Sequence, residues 1–225
     1  MADLDFANWV ARAHAFTIEL RHVPGATIRS SVVSAPGSES ELVAIERALG
    51  RSLPTGLRLF FAQGAAALDC AYVFEPTGAT LNQLATVLPT ENRIFGGARL
   101  GPASELADYS SAVRAWSADT WIADEPAQKD MWESAIPFLG LDNGDYVALD
   151  PRKDPIDPAV AYLCHDDESF LLAPQLAEFL IAWERLCYLG PEHWLLYPFI
   201  GKSGYLDAEA PLAMRLRALL SSSRP

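Results

Sequence analysis

The 225-residue chain is half hydrophobic and one tenth aromatic, with six Trp, and its 29 acidic against 17 basic side chains give a net charge of −12. That apolar content suffices for one substantial core and excludes a disordered chain. The acidic excess argues against direct nucleic-acid binding, because no basic footprint exists to displace counterions from phosphates.

The excess is local. Between Asp119 and Glu168 lie 13 acids and three bases, Lys129, Arg152 and Lys153; the remainder holds 16 acids and 14 bases. Such a segment would steer a basic partner toward itself, and solubility alone also accounts for it. The opening MADLDFANWVARAHAF lacks the basic stretch and apolar block of a signal peptide. No run reaches the ~18 uninterrupted apolar residues of a membrane span. Cys70, Cys164 and Cys187 are odd in number and widely spaced, which suits buried thiols in a reducing cytoplasm.

Taken in order, Leu4, Trp9, Val10, Ala13, Phe16 and Leu20 recur at helical spacing over 3–22, and Pro24-Gly25 ends the pattern. SSVVSAPGSES (30–40) reads as polar and flexible. Ser38 and Glu41 have capping-box spacing ahead of a Leu42, Ile45, Leu49 stripe, and Gly50 stops that helix. Pro54 opens a third helix through Gly64, with Leu57, Phe60 and Phe61 inward. Strands are expected at 70–76 and 94–102, a helix at 104–124, strands at 136–142, 145–150 and 159–165, and helices at 174–188 and 208–221. The Pro- and Asp-rich PRKDPIDP (151–158) reads as an exposed loop. Helices, then strands, then helices predict an α+β domain whose mainly antiparallel central sheet packs against helices, with helical extensions at both ends.

FLGLDNGDYVALD (138–150) is the sharpest local signal, since Asn143-Gly144 between two β-like runs favours a hairpin. A two-residue turn would pair Leu141 with Tyr146 and Phe138 with Leu149. Apolar residues then fall on both faces, so the hairpin should be covered on both sides. Asp142 and Asp145 would stand opposite each other as exposed turn carboxylates. The spacing fails the calcium-loop template, which needs D-x-[DN]-x-[DN]-G.

Motifs for chemistry are sparse. FIGKSG (199–204) lacks the first glycine of a phosphate loop, having Leu196 there. Cys164 and His165, adjacent on a strand, point to opposite faces and cannot form a dyad together. Cys164 reads as a core thiol, and His165 as a partner for Asp166 or a turn cap. The four histidines have no zinc-motif spacing. Neither a hydrolase elbow nor a dinucleotide turn is present. Trp194 in EHWLLYPF is the aromatic least readily assigned to the core.

The order of motifs is more specific than any one of them. IERALGRSLPTGLRLFFAQGAA (45–66) resembles the N-terminal signature of the SUKH superfamily, whose best-known branch is the yeast cell-wall-synthesis regulators of the Smi/Knr type. Leu53, Pro54 and Phe60 carry it, with Gln63-Gly64-Ala65-Ala66 where the family has an Asn-Gly or Gly-Gly turn. Gly144, Asp145 and Asp150 match the central hairpin, and Val160, Tyr162, His165 and Asp166 match the following V-x-Y-x-x-H-D strand. The resemblance spans about 38–190, leaving 1–37 and 191–225 as extensions.

The resemblance implies a binding domain without catalytic residues, cofactor or metal, of the kind that serves bacteria as immunity proteins against toxins and fungi as regulators. The expected partner is a cognate protein, for instance a basic nuclease-like toxin, rather than nucleic acid or membrane. The expected contact residues are the acids Asp119, Asp124, Glu125, Asp142, Asp145, Asp154, Asp157, Asp166, Asp167 and Glu168. Two alternatives remain open: a regulatory protein with no toxin partner, and a carboxylate- or metal-dependent enzyme on Asp142, Asp145, Asp150, His165 and Asp166.

Overall fold

In the computed structural model, residues 4–86, 88, 94–119 and 121–221 are described. Asp5 caps α1 (Phe6–Glu19) by accepting from the Asn8 backbone N–H at 3.0 Å. Phe6, Trp9, Val10 and Ala13 form its buried stripe. The chain then enters β1 (Ala26–Val33), so the first four residues of the stretch read as flexible are strand. This strand pairs antiparallel with β2 (Leu68–Phe74). It lies at the sheet edge and exposes Val32 and Val33, and the serines diluting its apolar pattern obscured it.

Between these strands, α2 (Glu39–Leu49) carries the expected Ser38–Glu41 capping box and ends on Gly50 at φ +69°. Next comes α3 (Thr55–Leu59), which widens into a π-helical turn over Phe60–Gly64. The bond from Ala65 N–H to Phe60 O, 3.3 Å, closes that wider ring. Consecutive Phe60 and Phe61 are both buried there.

After β2 come α4 (Ala79–Ala85), β3 (Ile94–Gly96) and β4 (Arg99–Leu100). Both short strands pair with β2, completing a four-stranded antiparallel sheet. Gly97 separates them at φ +134°, where a Cβ would stand 1.7 Å from Cys70 O. Then follow α5 (Leu106–Asp119), α6 (Pro126–Ser134), β5 (Ile136–Gly140), β6 (Tyr146–Asp150), β7 (Ala159–Leu163) and β8 (Phe170–Ala173). The four strands form a second antiparallel sheet in sequence order. A hydrogen bond from Gly101 N–H to Phe138 O, 2.9 Å, links the two sheets. The architecture is α+β, as expected, with its strands divided between two sheets.

The hairpin is covered on both faces, but its register differs from the two-residue reading. Leu141 N–H bonds Asp145 O at 2.9 Å, which leaves Asp142, Asn143 and Gly144 as a three-residue turn. Gly144, at φ +96°, is the left-handed residue that such a turn needs. Gly140 therefore pairs with Tyr146, and Asp145 faces Leu141 rather than Asp142. A bulge at Phe138 then shifts the register by one more residue, so that Leu149 pairs with Ile136 rather than with Phe138, and turns both Phe138 and Leu139 to the main core.

On that core face, Val147, Leu149, Val160 and Tyr162 meet α1, α3 and α7 (Leu176–Arg185). On the other, Tyr146, Ala148, Ala161 and Leu163 meet Val113 of α5 and Trp132 of α6. A third cluster joins Tyr72 and Phe74 of β2 to Leu195 of α8 (His193–Leu196) and to Leu212 and Leu216 of α9 (Pro211–Ser221).

Residues outside the family-like region are thus core material. Trp9 packs edge-on to Phe60 and Tyr188. The fully buried Trp9 and Trp183 donate their indole N–H groups to Leu180 O and Leu189 O, and Trp132 donates to Ser169 Oγ. Each tryptophan thereby buries its large apolar face at no polar cost. Among the described residues, no helix is long and apolar enough to cross a membrane.

Candidate functional site

The hairpin turn and the end of β7 meet at Asp145, whose side chain is 0% exposed. A bare carboxylate cannot be buried cheaply, so its partners decide what it is for. Oδ2 accepts from the Tyr162 hydroxyl at 2.6 Å and the Asn143 amide at 2.7 Å. Oδ1 accepts from the His165 backbone N–H at 2.9 Å, and His165 Nδ1 stands 2.7 Å away. An ionised carboxylate is acceptor-only, so Nδ1 carries the proton and donates. Four donors occupy about four lone-pair directions. Asp145 is a clamp that fixes the turn onto β7.

The structure therefore corrects two expectations. Asp145 is not an exposed turn carboxylate and cannot itself face a partner. His165 pairs with Asp145 rather than with Asp166, because the three-residue turn rotates Asp145 toward the end of β7. The His165 ring also lies 4.9 Å from that of Trp116, and its carbonyl accepts from Trp121 Nε1 at 2.8 Å.

Around the clamp a second set of polar groups converges. Cys164 lies just after β7, and its Sγ approaches the Asp145 oxygen that His165 Nδ1 does not contact. It lies 3.2 Å from Asp166 Oδ1, 3.9 Å from Asp145 Oδ2 and 4.0 Å from His193 Nδ1. Burial, followed by the hydrogen bond to Asp166, pushes the Cys164 thiol up to about 12. The thiol in turn holds Asp166 below the usual carboxylate range. Glu192 is raised to about 7, first by burial and then by the fields of Asp145 and Asp142. Burial and Asp145 also push the Tyr162 hydroxyl upward, keeping it a donor. Ser169 Oγ closes the turn by accepting from Cys164 N–H and Trp132 Nε1, at 3.1 and 2.9 Å.

The remaining predicted residues divide into separate groups. Asp142, Asp166, Asp167 and Glu168 are exposed at the clamp end of the second sheet. Asp124 and Glu125, also exposed, follow Trp121, whose indole donates to His165 O. The Asp119 side chain lies outside the described residues. Asp154 and Asp157 sit in the β6–β7 loop, at the opposite end of β6 from the clamp. Asp154 there accepts from the Ile156 and Asp157 backbone N–H groups and shapes its own loop. Asp150, 4% exposed, also lies at that end, and Arg152 grips it through Nε and an Nη, both at 2.8 Å. Asp150 therefore cannot join an active centre with Asp145. His193, Glu192 and Ser169 carry no local signal of this role, since each depends on contacts across the chain.

The family-motif positions fall on the same frame: Leu53 and Phe60 in the main core, Pro54 at the start of α3, and Gly144, Asp145, Tyr162, His165 and Asp166 around the clamp. A family model, the SMI1 / KNR4 family (SUKH-1), matches residues 36–182. The chain belongs to the SMI1 / KNR4 family. No curated protein matches it. The clamp residues are all inside the matched region; His193 and Glu192 lie beyond it. Family membership makes this a SUKH-domain protein, of a family that acts through protein–protein interaction and is generally non-enzymatic.

Proposed function

We propose that this SUKH-domain protein is a cytoplasmic, non-enzymatic immunity protein that neutralises a cognate basic toxin through the acidic end of its second sheet. What supports this reading is the exposure of Asp142, Asp166, Asp167 and Glu168 beside one buried clamp in sequence and fold, with the exposed Asp124 and Glu125 following Trp121, which bonds His165 O. A rigid frame fixes the positions of these charges before binding, which limits the ordering cost of association. Lys129, the nearest base in sequence to Asp124 and Glu125, is 3.9 Å from Glu133 and faces its own helix partner. A nuclease presents a cationic cleft for phosphates, and this surface would cover it by charge complementarity. Asp154 and Asp157, at the opposite end, take no part in such a face.

The test is co-purification with the product of a neighbouring toxin-like reading frame, followed by replacement of Asp124, Glu125, Asp142, Asp167 and Glu168 with their amides. The expected result is capture that weakens with salt and an association rate at least tenfold slower in the amide variant. Unchanged association in that variant removes the electrostatic reading. Absence of any toxin-like neighbour favours the regulatory alternative.

A further inference from the structure

Three potential ligands from three separate segments converge beside the clamp: Cys164 just after β7, His193 at the start of α8, and Asp145 just before β6. Their ligand atoms all lie within 4.8 Å of one another. Sγ is 4.0 Å from His193 Nδ1 and 3.9 Å from Asp145 Oδ2. A tetrahedral zinc ion, with bonds of about 2.3 Å to sulfur and about 2.0–2.1 Å to nitrogen or oxygen, holds its sulfur about 3.5 Å from each other ligand. The observed separations exceed this by about half an ångström, which a small rotation of the partly exposed His193 and of Cys164 removes.

The charge distribution points the same way. Asp166 lies 3.2 Å from Cys164 Sγ, and Glu192 adjoins His193 within the fields of Asp142, Asp145 and Arg99; among the described residues no Lys or Arg makes an ion pair with any of these carboxylates. Carboxylates gathered this way repel one another. A divalent cation relieves that field. A mixed sulfur, nitrogen and oxygen set selects zinc over magnesium or calcium, which take oxygen ligands alone.

We propose that Asp145, Cys164 and His193 form a zinc site, with Asp166 or a water molecule as the fourth ligand. On binding, the Cys164 S–H bond gives way to an S–Zn bond and the proton leaves to solvent. His193 donates its neutral Nδ1 lone pair. Asp145 Oδ2 exchanges the amide of the exposed Asn143 for the ion and keeps the Tyr162 hydroxyl. Tyr162 and His165 thus become the outer donors that orient the ligating carboxylate. Of the three ligands, His193 also lines a cavity of about 420 Å³, together with Asp167, Glu168, Phe170 and Tyr197. The ion ties α8 to the end of β7, independently of any protein partner.

The full-length protein, dialysed against chelator, is titrated with Co²⁺ and then with Zn²⁺ while the near-ultraviolet thiolate-to-cobalt charge-transfer band is followed. Stoichiometric binding with that band, stronger as pH rises and abolished by Zn²⁺, is the expected result. The band should vanish in Cys164→Ser and survive in Cys187→Ser. His193→Gln, at a partly exposed side chain, should weaken binding more than tenfold. Tyr162→Phe should weaken it by about 10–100-fold. A wild-type protein that shows no charge-transfer band overturns the proposal. So does a band that persists in Cys164→Ser or an affinity unmoved in His193→Gln.

Discussion

Asp145→Asn tests the clamp most directly. Asp145 accepts four hydrogen bonds at 2.6–2.9 Å, two on each oxygen. Asparagine keeps one acceptor oxygen and turns an NH₂ group toward two donors. At least two bonds are lost, and their donors stay buried. Hydrogen bonds to a charged group contribute about 1.5–3 kcal/mol each, so two missing bonds cost about 3–6 kcal/mol. Asn143 can swing into solvent and recover part of that, leaving about 3–5 kcal/mol. For a domain of this size that lowers Tm by about 6–20 °C. Urea unfolding followed by circular dichroism, in chelator to hold metal constant, measures the loss. Asp142→Asn, two residues into solvent on the same turn, should stay within about 0.5 kcal/mol of wild type. The variant Asp145→Asn/Tyr162→Phe should lose less than the two singles summed, because both remove one bond. A loss below about 1 kcal/mol for Asp145→Asn would refute the clamp.

Three further outcomes follow from neighbouring features. Arg152→Lys cannot reproduce the two-pronged grip on the buried Asp150; it should cost about 1–3 kcal/mol in the same urea assay, and a neutral result would show Asp150 to be hydrated. Gly97→Ala places a Cβ 1.7 Å from Cys70 O at a positive φ and should leave little folded protein at 37 °C by limited proteolysis. Glu192 contributes a pH dependence whose sign is set by its raised pKa. The folded protein binds this proton more tightly than the unfolded chain, where the ordinary value is 4.5. Its stabilising contribution is therefore complete below pH 4.5 and is lost as pH rises to about 7. Glu192→Gln should flatten the fall in urea midpoint across that window, and an unchanged slope would show that neither burial nor the neighbouring carboxylates raise Glu192.

Local patterns were legible where local physics decides structure. The Ser38–Glu41 box, the Gly50 stop and the Asn143-Gly144 turn each rest on interactions within a few residues, and the Tyr162 strand on an unbroken apolar β-like run. β1 was not legible, because an edge strand holding Ser30 and Ser31 has no clean alternation and is defined by its pairing with β2. The hairpin register slipped for a related reason. Two- and three-residue turns both accept Asn-Gly, and only the bulge at Phe138 together with the cores on both faces selects between them.

The sequence by itself determined the α+β class, the family and the acidic character of residues 119–168, since composition, periodicity and motif order survive without coordinates. Tertiary structure decided what the carboxylates do. A side chain's charge is written in the sequence, but its dielectric surroundings and partners come from residues far along the chain. Asp142 and Asp145, three positions apart and alike in sequence, end as an exposed turn residue and a fully buried acceptor of four hydrogen bonds. His193, 29 residues from Cys164, comes within 4.0 Å of its sulfur because α8 packs back over β7. No spacing rule reaches across that distance, whereas the packed core fixes it.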